Sequence, residues 1–175
     1  MLHFLNLFLS GILALYSAKT DDLHGISNDH FTLYFFLLED CRITQAYIPE
    51  INEIQKKYSS DQFTFKAVFS NPSSSPDSVY HFLDQYPLDM EVVFDEDQML
   101  ARRFDINTMP EVVVYHEERR KPIYQGRIDN WFVALGKRRA KPTVQDLRLC
   151  LDQVKLGNIP TFKKTTAIGC FLEKP

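Results

Sequence analysis

The sequence predicts one α/β domain built in three layers, with a central mixed sheet flanked by helices. Three observations carry this. Phe31-Thr-Leu-Tyr-Phe-Phe-Leu-Leu38 is an apolar and aromatic run, the mark of a strand buried on both faces and hence of a central strand with a parallel neighbour. Directly after it, Ile43, Tyr47, Ile51 and Ile54 recur at spacings of three and four, the period of a helix with one buried face. Later, Glu111–His116 and Pro122–Arg127 flank the charged turn Glu117-Glu-Arg-Arg-Lys121. Strands joined so closely are antiparallel, so a parallel start and an antiparallel finish must share one mixed sheet.

The remaining elements follow in order. The first helix, Ile43–Tyr58, contains Pro49 and is expected to kink there. Phe63, Phe65, Ala67 and Phe69 alternate with polar residues as a second strand, completing βαβ. Asn71-Pro-Ser-Ser-Ser-Pro76 is a loop that feeds a helix through Asp77, and that helix stops at Pro87. Met90–Phe94 reads as a short strand and Gln98–Phe104 as a short helix. A charged loop, Ile128–Pro142, precedes a last helix capped by Thr143, with Val144, Leu147, Leu151 and Val154 on one face. The tail Gly157–Pro175 reads as irregular.

The chain divides into residues 1–18, a domain over residues 22–158, and a tail over residues 159–175 that carries Cys170. With 175 residues there is room for one domain and short extras. Twenty Lys and Arg against 23 Asp and Glu give a formal charge of −3, so no global basic field exists to attract nucleic acid. Leu2–Ala18 is apolar and turns polar at Thr20-Asp21-Asp22, the pattern of a secretory leader, with a packed or inserted N-terminal helix as the alternative. Cleavage of a leader leaves no stable membrane insertion and places the protein in a periplasmic or secreted compartment, where thiols oxidise; without it the chain is cytoplasmic or membrane-anchored.

Three cysteines, Cys41, Cys150 and Cys170, allow at most one bridge, and no pair shows CxxC spacing. Cys150 lies beside the apolar stripe of the last helix, where packing is its expected role. Cys41 stands where the first strand passes into the first helix. There a thiolate feels the unpaired N–H groups of the helix and the charge of Arg42, both lowering its pKa, while Glu39 and Asp40 oppose them. The bland reading is a small buried hydrophobe at a strand end. None of the histidines, His3, His24, His30, His81 and His116, lies at metal-ligand spacing from another or from a cysteine. No metal and no cofactor is expected.

The order strand, cysteine, helix, strand, helix, then Thr108-Met109-Pro110-Glu111, hairpin and closing helix resembles the thioredoxin fold. Gly126-Arg-Ile-Asp-Asn130, Gly136-Lys-Arg-Arg139, Pro142-Thr-x-x-Asp146-Leu147 and Ala167-Ile-Gly-Cys170 together are similar to redoxin-domain proteins related to the alkyl hydroperoxide reductase/thiol-specific antioxidant family. This resemblance implies that Cys41 is the attacking thiol and Thr44 part of its turn. It also implies a cis peptide at Pro110 facing that turn. Such a bond would aim the backbone of Met109, with Thr108 before it, at a substrate lying extended as an added strand. Cys170 lies in a segment like the subgroup's terminal Gly-Cys. It is either the resolving thiol, if it can come within a Cα distance of roughly 4.4–6.8 Å of Cys41, or an exposed or intermolecular thiol.

Two departures limit the resemblance. Thr44 stands where a CxxC enzyme has its second cysteine, and Leu38 and Tyr34 stand where a peroxiredoxin has its hydroxyl residue and proline. The expected activity is therefore thiol–disulfide exchange on a protein or small-molecule thiol or disulfide. A non-catalytic peptide-binding module and an atypical thiol peroxidase acting on peroxide are the alternatives. The charged residues Arg127, Asp129, Lys137, Arg138, Arg139 and Lys141 read as a solvated loop or an Arg–Asp network, pinned to the body by Trp131 and Phe132.

Overall fold

The structure is a computed structural model that describes residues 29–174. The expected leader lies outside the described residues. Chain order is β1 (Phe31–Leu37), α1 (Arg42–Tyr58), β2 (Phe63–Phe69), α2 (Pro76–Gln85), β3 (Glu91–Phe94), α3 (Met99–Arg103), β4 (Thr108–Met109), β5 (Glu111–His116), β6 (Lys121–Gly126), β7 (Phe132–Ala134), β8 (Lys137–Arg138), α4 (Asp146–Lys155), β9 (Lys163–Lys164) and β10 (Cys170–Phe171). Six strands form the main sheet in the order β3-β2-β1-β5-β6-β9. β1 runs parallel to β2, Phe31 opposite Phe63 through Leu37 opposite Phe69, and antiparallel to β5, Phe31 opposite His116 through Phe36 opposite Glu111.

The apolar run of β1 is explained by this position. It has a strand on each side and a layer on each face, so only Tyr34 of its residues is less than fully buried. Phe31 meets Phe63, which meets Tyr58 of α1, and Phe69 of β2 meets Phe82 of α2. The opposite face of β1 presents Tyr34 and Phe36 to Phe104, which closes α3. α4 lies beside α1, held by Arg148 to Glu50 at 2.6 Å and by the Tyr58 hydroxyl donating to Asp152 at 2.7 Å. At roughly 25 cal/mol per Å² of apolar surface removed from water, these aromatic layers supply the main driving force.

α1 runs through Pro49, which sits on the exposed face, where solvent can take the carbonyl that the missing N–H leaves free. Three details depart from the sequence-based expectation. Thr143 does not cap the last helix. α4 starts at Asp146 with Gln145 before it, because Asn130 claims Thr143 by accepting from its N–H and donating to its hydroxyl, both at 2.8 Å. The tail is not irregular throughout: β9 joins the main sheet beside β6, and β10 pairs with β4. Finally, Arg127 does not pair with Asp129 as an Arg–Asp network within the loop would require. It donates to buried Asp146 at 2.8 Å, as does Lys163.

Asp129 instead accepts from the Tyr47 hydroxyl at 2.6 Å and from the Trp131 N–H at 2.7 Å. Trp131 and Phe132 pack on Tyr47, so the charged loop is pinned as expected. It also folds into a small hairpin, β7 with β8.

Burial pushes the Asp146 carboxyl up, but the hydrogen bonds from Lys163 and Arg127 outweigh it and hold the group below its ordinary value. A depressed carboxyl stabilises the fold above its ordinary pKa, and that contribution is lost as pH falls through the lower folded value. Asp146→Ala is expected to lower stability by about 1–3 kcal/mol at neutral pH. In urea melts, the gap from wild type should narrow as pH falls below the ordinary aspartate pKa of about 3.9.

Candidate functional site

Cys41 is placed by the end of the central strand. The chain leaves β1 in a tight turn closed by the Cys41 N–H donating to Leu38 O at 3.1 Å, and Gln45 N–H then makes the first helical bond to Cys41 O at 3.0 Å. Cys41 is thus the N-cap of the 17-residue α1, and no side chain caps that end. The free N–H groups and the positive pole of the helix are left for the sulfur. Thr44 is fully buried, and its hydroxyl accepts from Leu38 N–H at 3.4 Å, so it ties the turn to the helix. Gln45 donates to Glu39 O at 3.0 Å. The Glu39 carboxylate accepts from Ser74 and Ser78 at 2.7 and 2.9 Å, which couples the turn to the start of α2. The Arg42 side chain is exposed, so solvent screens its charge.

β4 faces this turn. The Met109–Pro110 peptide is cis, Met109 is fully buried, and its carbonyl oxygen lies 3.6 Å from Cys41 Sγ. Across from β4 runs β10, with Cys170 opposite Met109 and Phe171 opposite Thr108. Cys41 and Cys170 are joined as a disulfide, with 6.1 Å between Cα atoms and a sequence separation of 129. The resemblance-based pairing is therefore the one present, with Met109 beside it and Thr108 opposite the next residue, Phe171.

The tail is held on both sides of this bridge. Upstream, Thr165 N–H donates to Gln125 O at 2.9 Å, while its hydroxyl sits 2.7 Å from that of Tyr124 and accepts from Arg127 N–H at 3.1 Å. Gly126, at φ +140, permits this crossing, since a Cβ there would lie 2.2 Å from Thr165 O. Downstream, Leu172 N–H donates to Asn107 O at 3.0 Å. Gln98 donates to Glu173 O at 2.6 Å and Asn71 accepts from Glu173 N–H at 3.0 Å.

Asn71, Asp95 and Gln98 are site residues that the sequence analysis missed. All three are buried polar groups. Asp95 accepts from Leu100 and Ala101 N–H at 2.9 Å and so caps α3. Gln98, also bound to Ser70 O at 3.1 Å, is the docking post for the tail. The usable signal was an Asp in front of a short helix. That Gln98 reaches a segment 75 residues away has no sequence signature.

Cys150 stays apart. It is buried, and desolvation pushes its thiol up to about 12, the state of a packed, inert cysteine. The fold also assembles one group that sequence spacing hides. Asp29, His116 and Glu118 bring one donor atom each within 4.8 Å of one another. Buried His116 faces Asp29 at 3.6 Å and Glu118 at 3.2 Å through its two ring nitrogens, and its Nδ1 accepts from the Arg119 N–H at 3.3 Å. This cluster lies at the start of β1, about 20 Å of strand from the turn that holds Cys41.

No known family profile matches the chain, and no curated protein matches it in sequence. Among solved structures, it is similar to an uncharacterized conserved protein from Geobacillus kaustophilus at 21% identity, over 87% of this chain and 82% of that one, with a TM-score of 0.71. A hypothetical protein from Sinorhizobium meliloti 1021 aligns at 21% identity over 83% and 80%, with a TM-score of 0.70. A thioredoxin-like protein solved in its oxidized form aligns at 17% identity over 74% and 80%, with a TM-score of 0.54. The fold is thioredoxin-like α/β. Among the described residues, no helix is long and apolar enough to cross a membrane.

Two outcomes follow from this geometry. Glu111, the residue after Pro110, is buried and accepts from Gln125 at 2.9 Å. Burial raises its carboxyl above the ordinary value, with Gln125 and Lys164 only partly offsetting it. A raised acid binds its proton more tightly when folded, so stability falls as pH rises through the folded value. Glu111→Gln is expected to be about 1 kcal/mol more stable than wild type at neutral pH, with no difference below about pH 4. Reducing the Cys41–Cys170 bridge is expected to cost about 3–5 kcal/mol, the chain-entropy value for a loop this long, measured as a shift in the urea midpoint with and without a phosphine reductant.

Proposed function

We propose that the chain is a thiol–disulfide oxidoreductase with Cys41 as the attacking thiol and Cys170 as the resolving thiol. The observation that carries this reading is the pairing of these two sulfurs at the open N-terminus of α1, against the Thr108–Met109 backbone. In the reduced protein the helix pole stabilises the Cys41 thiolate. It attacks a substrate disulfide, forming a Cys41–substrate bond and releasing the other substrate sulfur as a thiolate. Cys170 then attacks Cys41 Sγ, expelling the second substrate thiolate and closing the internal disulfide. Two electrons have passed to the substrate, and an external dithiol must return them.

Protein or small-molecule thiols and disulfides fit this chemistry, with no cofactor needed. Thr44 positions the turn, Met109 and Thr108 offer backbone to a bound chain, and Arg42 adds a screened positive charge. Kinship with the alkyl hydroperoxide reductase/thiol-specific antioxidant group is supported by the Gly126–Asn130 and Ala167–Cys170 motifs. A peroxide acceptor has less support, because buried Leu38 supplies no hydroxyl where a peroxidase needs one. Export behind a leader at residues 1–18 suits a pair that must meet an oxidising compartment.

The test is reduction of a disulfide-bonded protein substrate by a dithiol, with the protein as catalyst. Cys41→Ser is expected to lose the catalysed rate entirely. Cys170→Ser should lose about tenfold or more in turnover while accumulating a substrate adduct on Cys41, identified by non-reducing mass mapping. Activity retained in Cys41→Ser would end the proposal.

A further inference from the structure

Resting on the exchange reading above, we propose that the segment Ile168–Glu173 is an intramolecular substrate. It occupies the edge where a partner polypeptide binds, and that edge selects chains carrying glycine immediately before the exchanging cysteine.

β10 adds to β4 as an antiparallel strand, Cys170 opposite Met109 and Phe171 opposite Thr108, and Leu172 N–H donates to Asn107 O at 3.0 Å. This is peptide recognition by strand addition, in which main-chain bonds give affinity whatever the side chains. Phe171 is 75% exposed, so the residue after the cysteine fills no pocket and contributes little selectivity. Selectivity falls on the residue before it. A Cβ on Gly169 would lie 1.9 Å from Met109 O, 2.5 Å from Met109 C and 3.0 Å from Pro110 N. These are backbone atoms that cannot rotate aside. Gly169 does not have positive φ, so glycine is required there by space and not by backbone conformation. Any chain that places its cysteine where Cys170 sits must bring its preceding residue to the same point.

A second consequence is that tail and substrate exclude each other. In the Cys41–substrate adduct the partner chain lies on the Thr108–Met109 edge. For Cys170 to reach Cys41 Sγ, β10 must return to that edge. The product strand therefore leaves that edge before Cys170 attacks Cys41 Sγ, closes the internal disulfide and expels the substrate as a thiolate. The bonds of Thr165 to β6 keep the tether short and the local concentration of the tail high.

The experiment uses the full chain with Cys170→Ser, which leaves Cys41 free to react. Two synthetic peptides carry the sequence of residues 167–172, one native and one with valine in place of the glycine, each with its cysteine joined to thionitrobenzoate. Attack by Cys41 on the peptide sulfur breaks that bond and releases coloured thionitrobenzoate, with no net change in oxidation state. The glycine peptide is expected to react about tenfold faster or more, the size of a steric exclusion. Adding Gly169→Val to the same chain should raise the rate for the glycine peptide severalfold, because the tail no longer competes. In a chain with both thiols present, Gly169→Val should lower the proportion of Cys41–Cys170 bridge in a glutathione buffer about tenfold. Peptide rates within about twofold of each other on the Cys170→Ser chain would overturn the inference; this comparison does not depend on how the Gly169 variant folds. Release from neither peptide, nor from a small aromatic disulfide, refutes the exchange reading itself, a different and separable result.

Discussion

The arrangement depends on a central strand that has no solvent-facing side. β1 is paired along both edges and covered on both faces, so the chain is released only at its end. In a sheet with parallel neighbours, that end is where the next helix begins and where its unpaired N–H groups point. Cys41 occupies this point and is 1% exposed. Its environment combines burial, which disfavours a thiolate, with a helix pole, which favours it.

What covers it is the tail of the same chain. Two glycines mark where that tail crosses other backbone: Gly126 beneath Thr165 and Gly169 over Met109. Between them the tail is fixed by hydrogen bonds to β6, and beyond them by Gln98 and Asn71. Main-chain bonds of this kind are each worth about 1 kcal/mol net. Several together keep the tail docked beside the Cys41–Cys170 bridge.

Buried polar residues hold the tail, the charged loop and the start of the last helix in place. Asp95, Gln98 and Asn71 are nearly removed from solvent, a costly placement unless every polar atom is paired. Asp95 is satisfied by Ser70 and by the N–H groups that start α3, and it orders the segment from which Gln98 reaches the tail. Asp129 and Asp146 do the same for the charged loop and the last helix through Tyr47, Trp131, Arg127 and Lys163. These acids add hydrogen bonds at the ends and loops of elements whose apolar faces are already packed.

The residue pattern alone determined the layers, the buried central strand, the helix periodicity and the position of Cys41 between them, because hydrophobic period is local information. It also marked Cys150 as packing, while the facing of Pro110 toward the cysteine turn came from the resemblance to the thioredoxin fold. Tertiary structure alone decided that Thr143 serves Asn130 instead of α4, that Arg127 answers Asp146 instead of Asp129, and that the tail forms strands. These depend on which distant group arrives first at a donor or acceptor, and spacing in sequence carries no trace of that. The two glycines show the division most directly. They are visible as letters in the chain, but the backbone atoms that forbid a side chain at each come from segments tens of residues away.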